Sequence, residues 1–234
     1  MTQKKSLDSK TWMYIGAGVL AVIVVVLVAI SAAGGGDDKL QGVDDAKALV
    51  ADIPSDGFFL GKESAPVTVI EFLDLQCPHC AAASTSIVPD LIERHVRNDG
   101  VRLQMQPLAI VGNTANGEKA NRALYAAGQQ GKAWLFAEIL YRNQGAEGSN
   151  WLDDSMVTRI AEATGLDMAK FDTDRNSAAA KAVTSEGAAQ ASAQSVTGTP
   201  TFIARNKAGT AQVLVEDTTS GGFDAAIAAV SSAQ

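Results

Sequence analysis

The segment VTVIEFLDLQ, residues 67–76, runs directly into CPHC at 77–80, and this junction constrains the fold more than any other part of the chain. Val, Ile and Phe suit a pleated strand. Positions 67, 69, 71, 73 and 75 share one face and 68, 70, 72 and 74 the other, and both faces are mostly apolar. Such a strand belongs in the middle of a sheet covered on both sides. Pro78 then reads as the first residue of a helix, where its fixed φ fits and its missing N–H is not needed. The spacing predicts that helix over about 78–98, with Pro89 expected to kink it.

Around this junction the remaining elements fall into place. FFLG at 58–61 and VRLQMQPLAI at 101–110 read as further strands. Residues 115–195 are rich in alanine, carry apolar residues at helical spacing and are punctuated by Gly131, Gly145, Gly148 and Gly165. TPTFIARNKAGTAQVLVE at 199–216 reads as strand, turn at Gly209, strand, and GFDAAIAAVSSA as a last helix. The order predicts a mixed α/β sheet interrupted by a helical insertion at about 115–195, in one folded domain spanning 57–234.

Ahead of that domain, residues 12–33 (WMYIGAGVLAVIVVVLVAISAA) carry no charge, and 22 residues of helix span about 33 Å, enough to cross a hydrocarbon core. Lys4, Lys5 and Lys10 precede the span and Asp37 and Asp38 follow it. The lysine bias places residues 1–11 in the cytoplasm and the rest outside the membrane. A cleaved signal peptide is the competing reading, since Ser31-Ala32-Ala33 looks like a small-residue cleavage site. The apolar stretch is longer than the roughly 7–15 residues of a signal core, which favours a retained anchor. Residues 34–56, with three glycines at their start, read as an extracytoplasmic tether, although Val43, Ala46, Leu49 and Val50 share one side if that stretch is helical. With a net charge of −7 and no long basic run, a nucleic-acid partner is excluded.

Cys77 and Cys80 are the only cysteines. A disulfide closing so short a loop contributes only about 2 kcal/mol on the chain-entropy estimate, so stability is a poor reason for it. Zinc needs about four ligands, and Cys77, Cys80, His79 and His95 cannot all converge on one metal. An idle pair of thiols outside the cell tends to oxidise. Redox chemistry is the one use that requires two close sulfurs.

Helix geometry assigns the roles. With Cys77 at the N-cap, the free N–H groups of His79 and Cys80 point at its sulfur, and the positive end of the helix dipole favours a thiolate there. Cys77 is therefore expected to be the acidic, exposed, attacking sulfur, with His79 as a further donor. Lowering its pKa by about two units favours the reduced form by about 2.7 kcal/mol, which makes the disulfide about 60 mV more oxidising. Cys80 is the resolving sulfur. Glu71, on the strand face with Val69, Leu73 and Leu75, is the candidate proton shuttle, its pKa raised by burial. Asp74 lies on the opposite face and reads as structural. His95 reads as helix surface and Trp134 and Trp151 as core of the insertion.

EFLDLQCPHC, the helical insertion and VTGTPTFIA near the end together resemble the DsbA-like thiol:disulfide oxidoreductases of the thioredoxin superfamily, over roughly residues 55–234. The resemblance implies a thioredoxin fold with an inserted helical domain, preceded here by the membrane helix. It implies Cys77 as nucleophile, His79 as modulator, Cys80 as resolving cysteine and Glu71 at the family's buried acid position. Thr199-Pro200 becomes the cis-proline loop, offering main chain to an extended substrate. The implied activity is oxidation of exported proteins that carry free thiols, with no cofactor beyond the Cys77–Cys80 disulfide and no metal. A quinone-linked membrane reoxidase, DsbB-like or similar to vitamin K epoxide reductase, is the implied partner. Thr199, where many close members carry valine, resembles isomerases and some membrane-anchored relatives. The alternatives are therefore an isomerase or reductase on the same fold, and a peptide-binding or redox-sensing domain without turnover.

Overall fold

The computed structural model describes residues 39–233. The cytoplasmic tail 1–11, the predicted membrane span 12–33 and the start of the tether lie outside the described residues. Among those described, no helix is long and apolar enough to cross a membrane.

A six-stranded sheet forms the frame, with β1 (Ser55–Asp56), β2 (Phe59–Leu60), β3 (Val67–Asp74), β4 (Val101–Leu108), β5 (Thr201–Asn206) and β6 (Gln212–Leu214). Their spatial order is β1-β2-β4-β3-β5-β6. Only β3 and β4 run parallel, which requires a crossover; α2 (Pro78–Leu91) supplies it. The expectation for residues 67–76 holds. Val67, Val69 and Leu73 enter the large core on one face, while Ile70 and Phe72 pack with Leu108, Ala191 and Ile203 on the other.

Between β4 and β5 lie α3 (Thr114–Gly128), α4 (Ala133–Arg142), α5 (Asp154–Ala163), α6 (Met168–Asp174) and α7 (Ala178–Ala193). These are the helical insertion. Each start with a short polar residue is capped by it: Asn113, Asp153, Asp167 and Ser177 accept from amides in the first turns of α3, α5, α6 and α7. Gly187 lets α7 lie directly on β4, because a Cβ there would run into the carbonyl of Pro107. The last helix, α8 (Ser220–Ser231), is capped by Thr219 and sets Phe223 edge-on to Phe202, with ring centroids 5.2 Å apart.

Two expectations change. Residues 40–56 are part of the compact unit, Leu40–Gln234, rather than a tether, so the folded domain starts before Gly57. Here α1 (Val43–Val50) packs on α4 with Ala46 fully buried, and Gln41 and Asn143 exchange two hydrogen bonds at 2.7 and 3.0 Å. The apolar spacing of Val43, Ala46, Leu49 and Val50 outweighs the glycines and acids around it. Second, α2 passes through Pro89 and continues as a π-helical turn over Ile92–Val96. Proline removes one N–H from the ladder, and a wider turn close behind it accommodates the altered register. That turn is tied to α8, since Arg94 and His95 both pair with Asp224, His95 at 2.9 Å.

Candidate active site

The chain leaves β3 at Asp74 and enters α2 at Pro78, with Cys77 at the N-cap in an extended conformation (φ −77°, ψ 122°). Three residues make this turn rigid. The Asp74 carboxylate accepts from the N–H groups of Gln76 (2.8 Å), Ile110 (2.6 Å) and Val111 (2.9 Å), which joins the ends of the parallel strands β3 and β4. Gln76 donates to the carbonyls of Val111 and Asn113, both at 2.9 Å. Tyr141 from α4 donates to the Asp74 carbonyl at 3.3 Å. The Cys77 N–H then bonds the Asp74 carbonyl at 3.0 Å, which holds the sulfur at the head of the helix.

Both cysteines are free thiols, and both are buried. Burial of Cys77 corrects the expectation of an exposed sulfur: the residue is only 2% exposed. Its thiol donates to the main-chain oxygen of Thr199 at 3.4 Å, so the loop before β5 covers it. The Thr199–Pro200 peptide bond is cis. Pro78 and His79, by contrast, are exposed.

The two sulfurs differ sharply in acidity. The Cys77 pKa is lowered from 9.0 to about 5, first by the Cys80 thiol donating to its thiolate, then by the Thr199 hydroxyl and by the amides of Cys80 and His79, against a desolvation that raises it. The helix N-terminus thus contributes, but the neighbouring thiol contributes more. The backbone N–H of His79 is among the groups that lower this sulfur's pKa. Cys80 is fully buried, and burial pushes its thiol far up, followed by the hydrogen bond to Cys77 and the charge of Glu71.

Glu71 lies beneath the pair on β3, opposite Met105 of β4 and Phe202 of β5, and is 4% exposed. Its carboxyl is raised from 4.5 to about 8, mainly by burial and then by the charges of Glu138 and Cys77. At neutral pH it carries a proton. Asp74, also raised by burial, is held back by its three backbone donors, consistent with a structural part.

Sequence reasoning missed Glu138. It is 2% exposed on α4, accepts from Ser84 Oγ at 3.0 Å and pairs with Arg142. The signal was an acid inside the apolar helix AWLFAEILYR with an arginine four residues on. Trp134, expected in the core, is 2% exposed, and its indole donates to the Phe58 carbonyl at 3.0 Å.

A dithiol at the head of the helix that follows a central strand, faced by an X-Pro loop from the neighbouring strand, defines a thiol-redox site on a thioredoxin fold. The chain belongs to the thioredoxin family, whose model matches residues 55–220. It is similar to the probable disulfide bond formation protein D of Bacillus cereus, 28% identical over 144 residues that cover 60% of this chain and 66% of that protein. The match therefore spans just under two thirds of that relative. The fold is shared with oxidised BdbD from Bacillus subtilis, at a TM-score of 0.65 and 18% identity, covering 77% of this chain and 99% of that one. A thioredoxin-like oxidoreductase from Silicibacter pomeroyi DSS-3 matches at a TM-score of 0.53 and 29% identity, over 71% of this chain and 87% of that one.

Proposed function

We propose that this chain is a membrane-tethered, extracytoplasmic thiol:disulfide oxidoreductase that introduces disulfides into exported proteins through Cys77 and Cys80. The supporting observation is the difference between the two sulfurs, one pulled down to about 5 and the other pushed up. A stabilised Cys77 thiolate exists only in the reduced protein, so it favours reduction of the pair and makes the disulfide an oxidant.

In the oxidising direction a substrate thiolate attacks Cys77 of the disulfide, and the Cys77–Cys80 bond breaks. Cys80 departs with the electron pair and takes the proton held on Glu71. A second substrate thiol, deprotonated, then attacks the substrate sulfur of the mixed disulfide and displaces Cys77 as the stabilised thiolate. Two substrate thiols become one disulfide, and the pair gains two electrons. Thr199 and Pro200 border Cys77 and form the surface on which extended substrate docks; Pro78 and His79, exposed beside it, form the other side. A quinone-linked membrane partner, DsbB-like or similar to vitamin K epoxide reductase, takes the two electrons back. The anchor at residues 12–33 keeps the domain near that partner and near proteins emerging from export.

The test is oxidation of a reduced, unfolded protein by wild type, Cys77→Ser and Cys80→Ser. Disulfide formation matching the amount of oxidised wild type supplied is expected, and none by Cys77→Ser or Cys80→Ser, neither of which can carry the Cys77–Cys80 disulfide. Equal, negligible rates in all three would leave a binding or sensing domain.

A further inference from the structure

The helical insertion carries a concentration of positive charge that the exchange reaction does not use. Lys119 and Arg122 stand one turn apart on α3, Arg175 directly follows α6, and all three line one cavity of about 310 Å³, together with buried Val157 of α5. The wall contains one acid, Asp154 at the start of α5, which meets Lys119 at 3.4 Å. Arg175 gives one guanidinium nitrogen to Asp172 at 2.8 Å and lies over the Phe171 ring, 5.2 Å from its centroid, contacts that hold its plane in place. Its Nε is buried without a hydrogen-bond partner. Arg122 has neither a hydrogen bond nor an ion pair among the described residues.

Gathering three cations on one cavity costs free energy through their mutual repulsion, and in a chain of net charge −7 such a cluster stands out. Asp154 and Asp172 offset part of it and leave Arg122 without a counter-charge. A buried guanidinium N–H without an acceptor is likewise a group that a bound molecule satisfies. We propose that this cavity is a binding site for a small phosphate ester, its phosphate held between Arg122 and Arg175 with Lys119 beside them. A carboxylate offers two oxygens and a single charge. A phosphate group offers three acceptor oxygens and close to two charges at neutral pH, so it meets three cationic side chains at once, and the two guanidinium groups are planar forks that suit it. The volume lies at the small end of the roughly 300–1,000 Å³ of ligand sites, which fits a phosphate with a short organic part. A bound ester ties α3 to the end of α6. The site shares no residue with the cysteine pair and stands independently of the exchange function.

Calorimetric titration of the full-length protein with glycerol 3-phosphate at constant ionic strength tests the assignment, alongside the melting temperature at saturating ligand. Saturable binding and a raised melting temperature are expected, with acetate and glycerol each binding at least about tenfold more weakly. Arg122→Ala weakens binding about tenfold or more, and Arg122→Lys, which keeps the charge but loses the fork, weakens it less. Arg205→Ala removes an arginine that lines a separate cavity, from β5, and leaves the affinity unchanged. Should Arg122→Ala not fold, Lys119→Gln carries the test with a smaller loss in the same direction. Repeating the titration with vesicles present identifies the source of the phosphate: weaker binding with phosphatidic acid in phosphatidylcholine, but not with phosphatidylcholine alone, assigns a lipid headgroup, and unchanged binding assigns a soluble ester. Absence of both heat and thermal shift, acetate bound as tightly as the ester, or equal losses from Arg122→Ala and Arg205→Ala overturns the proposal.

Discussion

Cys77 donates its thiol hydrogen to the main-chain oxygen of Thr199 at 3.4 Å, across 122 positions of sequence. The head of α2 and the loop before β5 thus meet at the sulfur, and the Thr199 hydroxyl is among the groups that lower its pKa. Thr199→Val keeps the shape and removes that hydroxyl. The thiolate pKa then rises by about one unit and the disulfide becomes about 30 mV more reducing. Equilibration with glutathione measures the change; a potential equal to wild type would show that the hydroxyl does not act on the sulfur.

The opposite shifts of Cys77 and Glu71 predict how stability depends on pH. Between about pH 5 and 9 the unfolded chain holds a proton on Cys77 that the folded reduced protein has lost, so this group's stabilisation is present above pH 9 and is lost as pH falls through about 5. Between 4.5 and about 8 the folded protein holds a proton on Glu71 that the unfolded chain has released, so this contribution is present below 4.5 and is lost as pH rises through about 8. The slopes oppose each other from about 5 to 8. Relative to wild type, reduced Glu71→Gln gains stability with rising pH over that window, and Cys77→Ser loses it. Urea unfolding at pH 5, 6, 7 and 8 reads the slopes; the same sign in both variants contradicts the assignment.

Alkylation should separate the two thiols. At pH 6 iodoacetamide is expected to modify Cys77 about two orders of magnitude faster than Cys80, because only the thiolate reacts. Peptide mapping after a timed quench gives the ratio, and comparable labelling of both residues refutes it. In Cys77→Ser, Cys80 should label only once the protein is unfolded.

Asp74 serves architecture rather than exchange. Asp74→Ala leaves the N–H groups of Gln76, Ile110 and Val111 without their acceptor and costs about 2–4 kcal/mol. Denaturant midpoints check this, and a loss below about 0.5 kcal/mol would mean water replaces the carboxylate.

Ala46 tests the boundary of the domain. It is fully buried where α1 meets α4, so Ala46→Asp should lower stability by about 2 kcal/mol or more through an unpaired buried charge. An exposed tether would tolerate the change.

Much of this site is legible locally. The alternation of residues 67–76 announces a strand buried on both faces, Pro78 fixes the helix start, and the interval between Cys77 and Cys80 places one sulfur at the N-cap and the other a turn deeper. Glu71 shares the strand face that leads to them, so its burial follows from the same period of two. Those properties depend on backbone geometry within a dozen residues.

Other features depend on chain segments far apart. Thr199 covers Cys77, Ser84 and Glu138 join α2 to α4, and residues 43–50 close over α4; each partner lies dozens of positions away and leaves only a weak local trace. The sequence by itself therefore determined where the two sulfurs stand and on what kind of fold. Only tertiary packing decided how strongly each is ionised, because desolvation and the field of neighbouring charges depend on what surrounds a group in space.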